Sequence, residues 1–166
     1  MRTMTLSVAL LCGASAALAS DDLIDRARVM ACYQEHIEAR DGLNCIGAAA
    51  QACQDIHTDQ FEGSTTFGIA ACLSAEAEIW DEVLNINYRL RKAEMAAQDT
   101  EDGAPLIGRV EALRTAQRAW IAFRDADCMR LYSEYQGGTI RTIIGASCHL
   151  NMTAKRAVDL YLASPE

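Results

Sequence analysis

Cysteine placement restricts what this chain can fold into more than any other feature. One cysteine, Cys12, lies in an N-terminal segment reading MRTMTLSVALLCGASAALAS, and six follow it: Cys32, Cys45, Cys53, Cys72, Cys128 and Cys148. In that first segment a single basic residue, Arg2, precedes an apolar run from Met4 to Cys12, and small residues lead to Ala17-Leu18-Ala19. A basic start, a short apolar centre and an A-x-A end form the layout of a secretory leader. The run is too short for a membrane anchor, which takes about 20 apolar residues. A lipid-acceptor role for Cys12 is disfavoured because Leu11, not a small residue, precedes it. Cleavage near Ala19 is therefore expected, with a periplasmic or secreted mature chain in which six cysteines meet an oxidising compartment.

Six cysteines allow 15 pairings, and sequence alone does not choose among them. The expectation adopted is pairing of neighbours: Cys32 with Cys45, Cys53 with Cys72, Cys128 with Cys148. Loops of this size are worth about 3 kcal/mol each in the chain-entropy account. Zinc is the rival use of cysteine, but zinc sites favour close C-x2–4-C pairs, and none of these spacings fits. No metal site is expected.

Removing 19 residues from 166 leaves 147, enough for one domain with a sizeable core. Loss of Arg2 with the leader takes the formal net charge from −8 to −9. So acidic a chain is a poor partner for nucleic acid or anionic lipid and a suitable one for cationic proteins. No later segment is apolar enough to span a membrane.

Apolar residues recur at helical spacing, and no period-2 alternation marks a strand. Leu23, Ala27, Met30, Gln34 and Ile37 form one such set, and Leu73, Ala77, Trp80, Leu84 and Tyr88 another. Leu106, Val110, Leu113, Ala116, Trp120 and Phe123 form a third, and Leu150, Ala154, Ala157 and Tyr161 a fourth. A shorter helix is expected from about Cys45 to Ile56. His57 to Thr66 reads as a loop whose Thr66 caps the next helix, and Asp99 to Gly103 as an acidic turn. Pro105 suits the first turn of the helix after that, and Gly137-Gly138 its end. After Gly138 a shorter segment from Thr139 leads into the last helix. The expectation is an all-α, disulfide-stapled bundle of four or five helices in a single domain. Within it, 1–19 is the signal peptide, 20–52 a helical extension with an extra disulfide, and 53–163 the main helical domain.

Catalytic patterns are not evident, and no catalytic residue is assigned. There is no G-x-S-x-G elbow, and His36, His57 and His149 form no i,i+4 ligand pair. Paired carboxylates such as Glu76 with Glu78, Asp81 with Glu82 and Asp125 with Asp127 are plentiful, but a hydrolase pair must flank a cleft. The densest segment runs from Ala116 to Cys128. Arg124 there lies beside aromatics expected in the core, and a charge in that setting needs a partner. Glu76 or Asp81 on the preceding long helix, or the adjacent Asp125, can supply it. With Asn85 and Gln117 these residues make an expected structural polar clamp. The alternative is a partner-binding face.

Read with its neighbours, that segment resembles the LprI-type lysozyme-inhibitor family of exported bacterial proteins. The matching features are Cys72, Glu76, Trp80-Asp81, Leu84-Asn85 and Tyr88, then Ala116-Gln117-Arg118-Ala119-Trp120, Phe123-Arg124-Asp125 and Cys128. Gly137-Gly138-Thr139-Ile140, Cys148, Thr153 and Arg156 complete them. The resemblance implies an α-helical domain in the periplasm or at the cell surface, no cofactor, and binding and inhibition of lysozyme. Cys32 to Cys45 adds a disulfide loop that the simplest members lack, and the Cys53–Cys72 spacing is longer than theirs. Three readings follow. The chain inhibits a cationic cell-wall hydrolase, with Asp99, Glu101 and Asp102 as partner contacts. Alternatively, it is a non-inhibitory envelope scaffold or interaction module. Least favoured is a hydrolase using Glu76 or Asp81.

Overall fold

A computed structural model describes residues 23–39, 41–57, 64–103 and 106–163. The expected leader with Cys12 and Ala19, most of the 57–66 loop, and Pro105 lie outside the described residues. Five α-helices follow in order: α1 (Arg26–Ile37), α2 (Ala48–His57), α3 (Thr66–Glu101), α4 (Arg109–Glu134) and α5 (Ile140–Leu162). A single 3-10 turn, Gly42–Cys45, links α1 to α2. The described residues contain no strand. The fold is the all-α, stapled bundle expected, with bonds joining Cys32 to Cys45, Cys53 to Cys72 and Cys128 to Cys148.

At 36 residues α3 is the axis of the bundle, about 54 Å long at 1.5 Å per residue. Its start is capped by Thr65, not Thr66: the Thr65 hydroxyl accepts from the Gly68 N–H at 3.0 Å. It packs chiefly along α5, while α4 lies more on α5 than on α3. That unequal seating leaves space between α3 and α4. The last helix is continuous from Ile140, without the separate short segment expected before it.

The buried stripes differ from the apolar spacing in instructive ways. In α1 the core side chains are Val29, Tyr33 and Ile37, while Ala27 and Gln34 face solvent. Tyr33 draws the helix round because its ring meets Trp80 edge-on at 5.7 Å. Its hydroxyl also accepts from Asn87 Nδ2 at 2.8 Å, and the same amide donates to the Ala157 carbonyl at 2.7 Å. One buried asparagine thereby ties α3 to α1 and α5. The α3 core includes Trp80 and Leu84 as expected, but its centre runs through Cys72, Glu76, Ile79, Val83 and Asn87. On α5, Leu150, Ala154 and Ala157 are buried.

In α4 only Leu113, Gln117 and Cys128 are buried. Ala116 and Phe123 are exposed and Leu106 precedes the helix, so the third apolar set is not a core face. The inward face is instead mixed, with Leu113 and Trp120 on the core beside Gln117 and Arg124, and α4 is fastened by specific bonds. At its far end the Cys128–Cys148 bridge joins it to α5. Gly145 permits the close crossing there, since a Cβ would sit 3.2 Å from the Tyr132 ring.

At its start, Gly108 offers no capping side chain. Asp99, in the last turn of α3, does the work: its carboxylate accepts from the Arg109 and Val110 N–H groups at 3.1 and 3.3 Å. The Arg109 guanidinium adds an ion pair to Asp99 and another to Asp102. Partial desolvation pushes the Asp99 carboxyl up. The backbone N–H groups and Arg109 outweigh it and hold the group below its ordinary value of 3.8. A depressed folded pKa gives stability that is present above the unfolded value and lost as pH falls through the folded one.

Two outcomes are expected. Asp99→Asn lowers the melting temperature near neutral pH, and its deficit against the parent protein shrinks below about pH 4; a deficit independent of pH in thermal scans contradicts this. Complete reduction lowers the melting temperature by more than about 10 °C, from loops worth about 3 kcal/mol each at 2–4 °C per kcal/mol. Scans with and without a strong reductant check it.

Candidate functional site

The polar residues expected to act together separate into two groups on opposite sides of α3. Glu76 belongs to the first and is fully buried, 0% exposed. One carboxylate oxygen accepts from the Gly47 N–H at 2.7 Å and from the Trp80 indole N–H at 3.0 Å; the other accepts from the Ala50 N–H at 2.6 Å. The two backbone donors sit at the N-terminus of α2, where unpaired N–H groups and the helix dipole favour an anion. Gly47 holds φ at +87°, in the left-handed region that glycine adopts without strain. Glu76 is therefore not part of the clamp around Arg124, as the sequence reading had it. Both its oxygens are committed to α2 and Trp80. Nor does Glu76 line either of the cavities that Asp81 borders.

The second group gathers where α3, α4 and α5 meet. Arg124 donates to Asp125 at 2.9 Å and to the Thr153 hydroxyl at 3.2 Å, and lies 4.0 Å from Asp81. Asp81 in turn accepts from Asn85 Nδ2 at 2.8 Å. The guanidinium stands over Trp120, 5.2 Å from the ring centroid, and Arg156 of α5 approaches the same ring at 5.8 Å. Arg156 also donates to Gln117 Oε1 at 3.0 Å. Of the expected clamp, Asp81, Asn85, Gln117, Arg124 and Asp125 come together, and Glu76 does not.

Space surrounds this cluster. A cavity of about 350 Å³ opens between α3 and α4, walled by Asp81, Asn85, Tyr88, Gln117, Trp120 and Arg124 among others. A second, of about 280 Å³, lies beyond Arg124 and reaches His149 and Thr153. Arg124 and Asp81 border both. The clamp is thus a crosspiece in an open cleft, and not a sealed core contact. Sequence reasoning missed Arg114 and Arg118 as wall residues. Arg114, Gln117, Arg118, Ile121 and Arg124 recur at helical spacing, and that polar stripe was the available signal.

The segment expected as an acidic turn begins inside α3: Asp99 to Glu101 form its last turn and Asp102 its C-cap. Asp99 and Asp102 hold Arg109 and the start of α4, whereas Glu101 is exposed with no partner among the described residues. Cys32, His36 and Cys45 lie close enough to suggest metal ligands. Both sulfurs are joined in a disulfide, however, and thiolate is the ligating form. The His36 ring instead sits 3.0 Å from Asp41. The α3–α4 cleft offers guanidinium and amide donors beside aromatic surface.

Comparison with known proteins gives consistent results. The chain is 35% identical over 121 residues to the uncharacterized protein R02472 of Rhizobium meliloti, covering 71% of this chain and 86% of that one. It is 25% identical to an uncharacterized 17.7 kDa protein in the puhA 5' region of Rhodobacter capsulatus, across 99% and 98% of the two chains. No solved structure matches. No helix among the described residues is long and apolar enough to cross a membrane. The family pattern of Lysozyme inhibitor LprI matches residues 57–160, which contain the whole of the α3–α4 cleft. The chain belongs to the LprI lysozyme-inhibitor family.

Proposed function

We propose that the mature chain acts in the bacterial envelope, after cleavage near Ala19, by binding and inhibiting a cationic cell-wall hydrolase of the lysozyme kind. The family match across α3, α4 and α5 is the observation that carries this reading. The mature charge of −9 supports it, because opposite net charge speeds encounter between proteins. Six cysteines paired in three bridges suit an exported protein. Residues 20–52, with their own disulfide, form an extension on the family domain of 53–163. In this reading the extension adjusts the binding surface and needs no chemistry of its own. No residue is assigned a catalytic role.

Of the acidic turn, Glu101 is the side chain offered to a partner. Asp99 and Asp102 shape the turn by holding Arg109. Arg124 and its neighbours keep α4 at its distance from α3 and so set the shape of the cleft.

A lysis assay on a peptidoglycan suspension tests the proposal, using chicken-type and goose-type lysozymes with the oxidised mature protein. At low ionic strength, micromolar protein is expected to slow lysis by at least one of them. Glu101→Lys is expected to weaken that protection severalfold, and salt to weaken it further, as for steered association. Unimpeded lysis by both enzymes at low ionic strength contradicts inhibition. Capture of a non-hydrolase envelope protein without inhibition points instead to the scaffold alternative.

A further inference from the structure

Gln117 is 6% exposed, and its hydrogen bonding is incomplete. Its Oε1 accepts from Arg156 Nε, which sets the orientation of the amide. The reverse orientation would turn an amide N–H2 against a guanidinium, donor against donor. Nε2 is therefore the end left over, covered and without an acceptor among the described residues. A buried donor left in that state costs about 1–3 kcal/mol, which an incoming acceptor recovers.

The same residue lines the 350 Å³ cavity, together with Arg114, Arg118 and Arg124. Arg114 is paired with Glu111 and Arg124 with Asp125. Arg118 has no carboxylate partner among the described residues. An acidic protein thus gathers cationic donors around one cavity. Leu84, Tyr88 and Ile121 supply apolar wall beside them. The cavity is at the lower end of the range for small-molecule sites. Because Nε2 is covered, an acceptor reaches it only once the wall beside Gln117 shifts.

We propose that this cavity binds a small organic monocarboxylate with an apolar body. The carboxylate accepts from Gln117 Nε2 and from the Arg118 guanidinium, and the body rests against Leu84, Tyr88 and Ile121. A neutral acceptor satisfies the amide but leaves Arg118 unmatched. A multiply charged anion meets repulsion from Asp81 on the facing wall. This site does not depend on whether the protein inhibits a hydrolase.

The test is a titration of the oxidised, 15N-labelled mature protein with benzoate, benzamide and inorganic phosphate at constant ionic strength. The Gln117 side-chain amide signals, assigned by their loss in Gln117→Leu, are the readout. Benzoate is expected to shift them saturably with Kd at or below about 1 mM, with benzamide at least about tenfold weaker and phosphate weaker still. Arg118→Gln, on an exposed position, is expected to weaken benzoate about fivefold or more without moving the melting temperature. No saturable benzoate shift overturns the proposal. So does benzamide or phosphate binding as well as benzoate, or full benzoate affinity in Arg118→Gln. Should Gln117→Leu fail to fold, the parent and Arg118→Gln titrations are read from their backbone amide shifts, which need no Gln117 variant for assignment.

Discussion

A single buried carboxylate organises the N-terminal half of this protein. Glu76 is held by two backbone N–H groups at the start of α2 and by the Trp80 indole. Burying a charge is costly unless it is hydrogen-bonded and electrostatically matched. Three donors and the positive end of a helix meet that condition here. The dependence is mutual. The sequence before α2, Ile46-Gly47, supplies no capping side chain, so without Glu76 the first N–H groups of α2 lack an acceptor. Trp80, fixed by the same carboxylate, presents the surface on which Tyr33 packs, and Tyr33 anchors α1. Disulfides guard both flanks: Cys53–Cys72 joins α2 to α3 one turn before Glu76, and Cys32–Cys45 closes the chain just before Gly47.

The other half of the molecule is built differently. There α4 is attached at points, by the Asp99 cap, the Gln117–Arg156 bond, the Arg124 contacts and the Cys128–Cys148 bridge. Few of its side chains are buried, and Phe123, at 60% exposed, faces outward with Met129. A helix held by bonds at intervals can stand off its neighbour without loss of position, and the cleft between α3 and α4 is the result. One side of α3 is closed by packing and serves stability. The opposite side is open, charged and aromatic.

Much of this architecture was legible in the sequence. Cysteine number pointed to three bridges, with pairing of neighbours the expectation adopted and found, and 3.6-residue periodicity pointed to the helices. The faces were harder. Apolar spacing placed Gln34 in the core and left out Tyr33, since a periodicity count does not register that tyrosine brings a large ring as well as a hydroxyl. In α4 it selected Ala116 and Phe123, whereas the helix turns Gln117 and Arg124 inward to meet Arg156 and Thr153 of α5. Those partners lie 39 and 29 positions away along the chain, respectively. Charge alone makes Glu76 one of three candidate partners for Arg124, with Asp81 and Asp125. The partners of Glu76 are the Trp80 indole one helical turn on and two backbone N–H groups, and the backbone groups have no signature in a list of side chains.

Hydrogen exchange at the Gly47 and Ala50 amides tests the central role of Glu76 most directly. In the oxidised parent protein both amides are expected to exchange slowly, at rates set by opening of the core. In Glu76→Gln they are expected to exchange far faster, while amides in the middle of α5 remain protected. Equal protection of Gly47 and Ala50 in the two proteins would show that α2 is held without the carboxylate, and would contradict the account.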